Sequence, residues 1–288
     1  MDSFEYRAPT DLREGLEILA EFGPDAKVLA GGQSLMILLR QRLLAPRVIV
    51  SLKRLGALTA IESSDGGLRL GSMVTYRAAS ASPAVRAHAP ILARAASSVG
   101  SIHIRNLGTL GGSLCHADPA ADVPTVLLAL DAMLRAAGSS GRNTYPADQF
   151  FTGLFQTRIA TEEVLEGIDV PAPAGETTFG YGRFSYREGE YPMAVAACRL
   201  TWDGQTCTDA RIAVGGGDVY PKRLPEVEGL VRRTGVDAGA RAEVRGVLPT
   251  ILRPMPDIRG SGEWKSRVLA GLMDRVLDEA ARRGAPRA

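Results

Sequence analysis

The sequence predicts an α+β protein in two domains, and three observations carry that expectation. The chain has 288 residues, 45% of them hydrophobic, which suits two moderate cores better than one large one. Its apolar segments switch between helical and strand spacing without a regular β-α-β rhythm. The run Pro171-Ala172-Pro173-Ala174-Gly175 is the best candidate for a boundary between domains.

The elements follow in order. Thr10 can cap a helix whose Leu12, Leu16 and Leu19 share one face, and Gly23-Pro24 stops it. Val28-Leu29-Ala30 reads as a short strand that turns through Gly31-Gly32-Gln33-Ser34 into a helix beginning at Leu35. Strands are expected at Val48–Leu52 and Leu68–Ser72, a helix cap at Thr75, and a helix from Pro83 to Ala96 carrying Val85, Leu92 and Ala96. Residues 97–124 are dense in Gly, Ser, Asn, Asp and Pro between apolar stretches, which predicts a functional loop rather than a linker. Strand-like pieces run from Asp131 to Val170. Beyond the boundary, a strand pair is expected at Ala194–Thr201 and Asp209–Val214, then helices near Pro225–Arg233 and Ser266–Arg283.

Composition removes several function classes. With 34 basic against 32 acidic residues and no Lys/Arg run, the chain carries no nucleic-acid footprint. No stretch approaches the ~20 apolar residues of a membrane span, and Met1-Asp2-Ser3-Phe4-Glu5 is acidic where a secretion signal would be basic, so a cytoplasmic location is expected. Cys115, Cys198 and Cys207 are odd in number and lack CxxC spacing; neither a disulfide framework nor a four-cysteine cluster can be built from them. His103 and His116 have no third ligand and predict loop hydrogen bonds, not a metal site.

Two diglycines carry the functional signal. In Ala30-Gly31-Gly32-Gln33-Ser34 the missing Cβ atoms let backbone N–H groups converge on one spot at a helix start, and Ser34 can cap the helix or donate to a phosphate. The same segment also suits an ordinary strand-to-helix turn. Ile104-Arg105-Asn106-Leu107-Gly108-Thr109-Leu110-Gly111-Gly112-Ser113 repeats the chemistry, and neither segment is a GxGxxG fingerprint or a P-loop. A nucleotide diphosphate between two diglycine turns is the sharper reading; two unrelated turns are the plainer one.

These residues, with Asp118-Pro119 and Asp122, Tyr186-Arg187-Glu188-Gly189-Glu190-Tyr191 and Pro256-Asp257-Ile258-Arg259-Gly260-Ser261, resemble the FAD-binding medium subunit of the xanthine dehydrogenase and carbon monoxide dehydrogenase family. The resemblance spans nearly the whole chain. It implies a vanillyl-alcohol-oxidase (PCMH)-type FAD-binding domain over residues 1–173, in lobes of about 1–57 and 58–173. A smaller α+β domain like the C-terminal domain of CO dehydrogenase flavoproteins would follow over 174–288. It implies that Ala30, Gly31, Gly32, Gln33, Ser34 and Leu35, with Thr109, Gly111, Gly112 and Ser113, contact the FAD pyrophosphate and ribityl chain, largely through backbone N–H groups. Asp122 would reach a hydroxyl of the adenosine ribose, or else simply cap the helix before Pro124. Val99 would lie against the adenine, Tyr191 against the isoalloxazine, and Arg183 would place a cation near the flavin; core packing, strand-edge packing and a solvated arginine are the respective alternatives.

The implied function is electron relay, with no proton-transferring catalytic residue in this chain and with FAD bound non-covalently. The molybdenum cofactor would sit in a large partner subunit and the [2Fe–2S] clusters in a small one, in a heterotrimer or its dimer. NAD, oxygen or a quinone would be the acceptor. Two rivals stand beside it: a stand-alone FAD-dependent oxidoreductase, and a non-redox nucleotide-binding assembly module.

Overall fold

The computed structural model describes residues 3–284; Met1 and Asp2 of the acidic opening, and residues 285–288, lie outside the described residues. The chain begins with a parallel sheet of order β1-β3-β2, from β1 (Glu5–Arg7), β2 (Ala26–Leu29) and β3 (Val48–Ser51). Central β3 is an unbroken apolar run because both its faces are covered, and Val48 and Val50 meet Ile18 and Leu19 of α1 (Leu12–Phe22) in one cluster. Asp11, not Thr10, caps α1. Its Oδ1 accepts the Glu14 N–H at 2.9 Å while Glu14 Oε2 accepts the Thr10 N–H, so the capping pair starts one residue later than expected. From the end of β2 the chain turns into α2 (Leu35–Arg40).

A second, antiparallel sheet of order β4-β5-β10-β6-β7 is formed by β4 (Ile61–Ser64), β5 (Gly67–Gly71), β6 (Met133–Gly138), β7 (Gly141–Pro146) and β10 (Val164–Pro171). Between β5 and β6 lie α3 (Tyr76–Ala81), α4 (Pro83–His88), α5 (Pro90–Ser98), α6 (Ile102–Leu107), α7 (Leu110–His116) and α8 (Asp122–Ala129). Here two expectations fail. The single helix from Pro83 to Ala96 is two, because Pro90 restricts Ala89, which sits at φ −140° and ψ 62°, and a new helix starts there. The expected loop over 97–124 is mostly three short helices, whose Ser101 and Thr109 are caps rather than loop residues. Small α9 (Ala147–Phe150) and the hairpin β8 (Phe151–Gly153) and β9 (Gln156–Thr157) connect β7 to β10.

The remainder is a four-stranded antiparallel sheet, β11 (Glu176–Phe184), β12 (Ala194–Asp203), β13 (Thr206–Gly215) and β14 (Lys222–Arg223), with α10 (Pro225–Thr234), α11 (Ala238–Ile251) and α12 (Gly262–Gly284). Strand β12 alternates between two cores. Ala194, Ala196, Cys198 and Leu200 face the C-terminal helices, while Val195 and Ala197 join the cluster of Val123, Val126 and Leu127 on α8. Strand β11 and helix α11 were not expected from sequence. Gly180 and Gly182 break the apolar alternation of β11 because α12 lies directly on it: a Cβ at Gly182 would stand 2.8 Å from Leu272 Cδ1. In α11, Gly239, Gly246 and Pro249 hide a helix that Asp237 caps and that Val244 and Leu248 anchor.

Candidate cofactor site

The ends of β2, α6 and α7 meet the loop after β11 around a cavity of about 700 Å³. All fourteen expected site residues line it: Ala30, Gly31, Gly32, Gln33, Ser34 and Leu35; Val99; Thr109, Gly111, Gly112 and Ser113; Asp122, Arg183 and Tyr191. They come from both domains, so the site needs the C-terminal sheet as well as the glycine segments.

The first segment is built to receive an anion. Gly32 sits at φ +71°, and Gln33 Nε2 donates to the Gly31 carbonyl at 3.0 Å, fixing the turn. The first α2 bonds run from Met36 N–H to Gly32 and from Leu38 N–H to Ser34, so among the described residues the N–H groups of Gln33, Ser34 and Leu35 have no protein acceptor. Ser34 holds the N-cap place but makes no cap bond; at φ −103° and ψ −49° its backbone is already helical and its hydroxyl is left for another partner.

The second segment works differently from the expectation. The Leu110 N–H donates to Val74 O, Gly111 to Ser72 O, both at 2.9 Å, Gly112 to Thr109 Oγ1 at 3.0 Å and Ser113 to Thr109 O at 3.1 Å. These four donors are already bonded within the protein, so they are not a free nest. The diglycine serves close packing instead: a Cβ on Gly111 would lie 2.6 Å from Ser72 Cβ, and one on Gly112 would lie 3.6 Å from Ala30 Cβ. Gly31 in turn abuts the Leu107 carbonyl. The lack of side chains brings the two glycine segments together and shapes the wall.

Asp122, Tyr181 and Arg183 form a buried network at the third side. Asp122 is the first residue of α8 and makes no cap bond; its Oδ1 accepts from the Tyr181 hydroxyl at 2.7 Å and lies 3.2 Å from Arg183 Nε. That ion pair is close but not aligned as a hydrogen bond. The other Arg183 nitrogens donate to Ser98 O at 2.6 Å and Glu190 O at 2.7 Å, tying the loop that carries Tyr191 to the end of α5. Burial raises the Asp122 carboxyl above the usual range, against the pull of Arg183 and Tyr181. The contact brings Asp122 and Arg183 to the same part of the cavity.

Sequence reasoning missed Ser72, Tyr76, Cys115, His116, Asp118 and Glu163, which also line the cavity. Thr75 caps α3 as expected, and burial pushes the phenol of the Tyr76 beside it up to about 12. His116 packs on Phe155 at 5.2 Å between ring centres, and burial lowers its pKa, so it is a cavity wall and not a loop hydrogen-bonding residue. His103 lies outside the cavity lining. Cys115 is open to the cavity yet desolvated by the protein around it, which pushes its thiol up to about 12. Tyr191 is alike: 47% of its surface is open, onto the cavity, while burial holds its hydroxyl well above the ordinary value. No spacing pattern marks such residues, because chain segments far apart bring them together.

These groups suit FAD. Unbonded N–H donors at the first segment match a diphosphate, and Val99, Leu35 and Tyr191 offer apolar and aromatic surface for flat rings.

Comparison with known proteins agrees. Residues 2–173 match the family model of the FAD binding domain in molybdopterin dehydrogenase, and residues 180–280 match that of the CO dehydrogenase flavoprotein C-terminal domain. The chain is 34% identical to the nicotine 6-hydroxylase medium subunit of Paenarthrobacter nicotinovorans, over 98% of this chain and 99% of that one. It is 32% identical to the carbon monoxide dehydrogenase medium chain of Hydrogenophaga pseudoflava, over 96% of each. In structure it superimposes on carbon monoxide dehydrogenase from Hydrogenophaga pseudoflava with a TM-score of 0.96 at 31% identity, covering 99% of each chain. Quinoline 2-oxidoreductase from Pseudomonas putida 86 gives 0.92 at 33% identity, covering 98% of each. With both domains matched in order and the cavity where they meet, the chain belongs to the FAD-binding medium subunits of the molybdenum hydroxylases, oxidoreductases of the carbon monoxide and xanthine dehydrogenase type.

Proposed function

We propose that this medium subunit holds one FAD non-covalently in the cavity and passes electrons from the [2Fe–2S] clusters of a small partner subunit to an external acceptor. A large partner subunit carries the molybdenum cofactor and hydroxylates the substrate, and the three form a heterotrimer or its dimer in the cytoplasm. The observation that carries this reading is the gathering of all fourteen expected residues on one cavity of about 700 Å³, inside the ~300–1,000 Å³ range of small-molecule sites. Bound FAD supplies the redox chemistry, taking electrons singly and releasing them in pairs.

The chain's own residues bind and orient. The N–H groups of Gln33, Ser34 and Leu35 take the pyrophosphate, while Gly111 and Gly112 shape the wall beside it. Val99 offers apolar surface for the adenine, and Tyr191 stacks on the isoalloxazine and limits access to it. Arg183 holds the Tyr191 loop in place, and Asp122 presents a carboxylate to a hydroxyl of the ligand. We divide the chain into 1–173, in lobes of about 1–57 and 58–173, and 174–288. Cys115, the cysteine that lines the cavity, is held as a neutral thiol by burial and so is a poor nucleophile at neutral pH, which supports non-covalent attachment.

Purified chain is expected to be yellow and to release its flavin on acid or heat denaturation; flavin that stays on the denatured protein overturns the non-covalent reading. Reduced artificially, the isolated subunit should reoxidise with a simple acceptor. Organic substrate should bleach its flavin only after the other two subunits are added. Bleaching of the isolated, metal-free chain would make it a stand-alone oxidoreductase, and a colourless, flavin-free protein would favour the non-redox module.

A further inference from the structure

Two segments singled out in the sequence, Tyr186–Tyr191 and Pro256–Ser261, meet beside the cavity. The first lies in the loop between β11 and β12, whose Gly189, Glu190, Tyr191 and Pro192 line the cavity. The second precedes α12 and is folded on itself by Asp257. Its Oδ1 accepts the Arg259 N–H and pairs with the Lys265 ammonium, both at 2.9 Å, and its Oδ2 accepts from the Arg259 guanidinium, also at 2.9 Å. Backbone bonds of 3.1 Å join Asp257 and Gly260 in both directions. Partial burial would raise the Asp257 carboxyl, but the bonds from Lys265 and Arg259 outweigh it and hold it at about 2, so the segment keeps its shape across the ordinary pH range. Tyr186 joins the two segments. Its hydroxyl donates to Arg259 O at 2.8 Å, and its ring stacks on Trp264 at 6.1 Å between centres and 19° between planes. Trp264 in turn seats against Gly260, where a Cβ would come within 2.7 Å of the indole. At the cavity, Gly189 lies against Gly100 and Arg183 holds Glu190 O, so the loop is pinned there and, through Tyr186, at the segment before α12.

We propose that the Asp257 segment is a latch for the loop that carries Tyr191, with Tyr186 and Asp257 as positioning residues that limit how often an electron acceptor reaches the flavin. This rests on the FAD reading of the cavity and on Tyr191 as the cover of the ring. An acceptor that meets the flavin only while the loop is lifted reacts in proportion to the lifted fraction. Losing one exposed hydrogen bond should multiply that fraction roughly 2- to 5-fold. The test is to photoreduce the FAD-loaded chain and follow its reoxidation by a water-soluble benzoquinone at the flavin absorbance. Tyr186→Phe keeps the ring stack and removes the donor, so the second-order rate constant should rise roughly 2- to 5-fold while the thermal midpoint changes little. Asp257→Asn weakens the latch without touching Tyr186 and should raise the same constant. The double variant should gain less than the product of the two single effects, because both act on one latch. An unchanged rate constant in Tyr186→Phe overturns the proposal, and so does a lower midpoint with the rate constant unchanged, which would mean that the bond serves only the fold. Single effects that multiply in full would make the two residues independent and overturn the shared latch. If the wild-type chain itself takes up no FAD, the cavity reading fails, and that result is distinct from a change confined to the variants.

Discussion

Gly32 separates two roles that glycine can play in a cofactor turn. Its φ of +71° strains any L-residue, and a Cβ there would stand 3.3 Å from Leu29 Cδ1 and Met36 Cγ, side-chain atoms that need give by only a few tenths of an ångström. Asp and Asn tolerate left-handed backbone better than other residues and resemble each other in shape. Gly32→Asn should therefore fold and keep most FAD affinity, whereas Gly32→Asp adds a carboxylate beside the diphosphate and should weaken binding by on the order of tenfold or more. Flavin content after gel filtration of both variants checks this; equal retention would take the diphosphate away from this turn. Asn in the same place thus serves as the control for backbone strain.

At Glu190 the loop between β11 and β12 hangs on one side chain. Arg183 spans Ser98 O, Glu190 O and the Asp122 carboxylate, so it orders the segment that carries Tyr191 and balances a charge that is 4% exposed. Arg183→Met keeps the length and removes both functions. It should cost about 3 kcal/mol at neutral pH, the scale for breaking one partner from a buried pair. The Asp122 pKa is already raised in the folded protein, and losing Arg183 raises it further. A raised carboxyl binds its proton more tightly when folded, so stability is highest below the unfolded value and falls as pH rises through the window above it. Thermal melts at pH 5 and pH 7.5 should show the variant closer to wild type at the lower pH, and an equal deficit at both would mean that Asp122 is not the affected group. This pairing also shows why only part of the site was legible in the sequence. Turn glycines, caps and strand ends are local, and so Gly32, Thr75 and the β2–α2 turn could be read directly. That Asp122 meets Arg183, or that the α7 N–H groups are taken by Ser72 and Val74, depends on contacts between distant segments. The glycines that disguised β11 are likewise there for α12, a partner some ninety residues away in the chain.

On the scale of the whole molecule, the two domains are joined by shared apolar packing and by several ion pairs, of which one carboxylate gathers the most. Val195, Ala197 and Ala213 of the C-terminal sheet lie in the same core as Val126, Leu127 and Leu130. Beside them Asp131, at φ +55° just past α8, receives an arginine from each of three adjacent strands: Arg199 at 3.2 Å, Arg211 at 2.6 Å and Arg223 at 2.7 Å. Arg199 and Arg211 are directly opposite in the β12–β13 register, an arrangement of like charges that opposes strand pairing unless an anion sits between them. Asp209 and Glu228 partner Arg211 and Arg223 as well, but Arg199 is 11% exposed and its remaining acidic neighbour, Asp209, is 3.9 Å away. Asp131→Ala should therefore strand Arg199 most. Asp131 is itself 30% exposed, which sets the loss between the limits for surface and buried pairs, at about 2 kcal/mol, or a midpoint lower by roughly 4–8 °C. The shared core should keep unfolding a single transition. Calorimetry of the apoprotein decides between the two sources of cohesion: one transition at a lower temperature is the expected result, whereas two resolved transitions would mean that the arginine cluster, not the apolar packing, holds the C-terminal sheet against the FAD-binding domain.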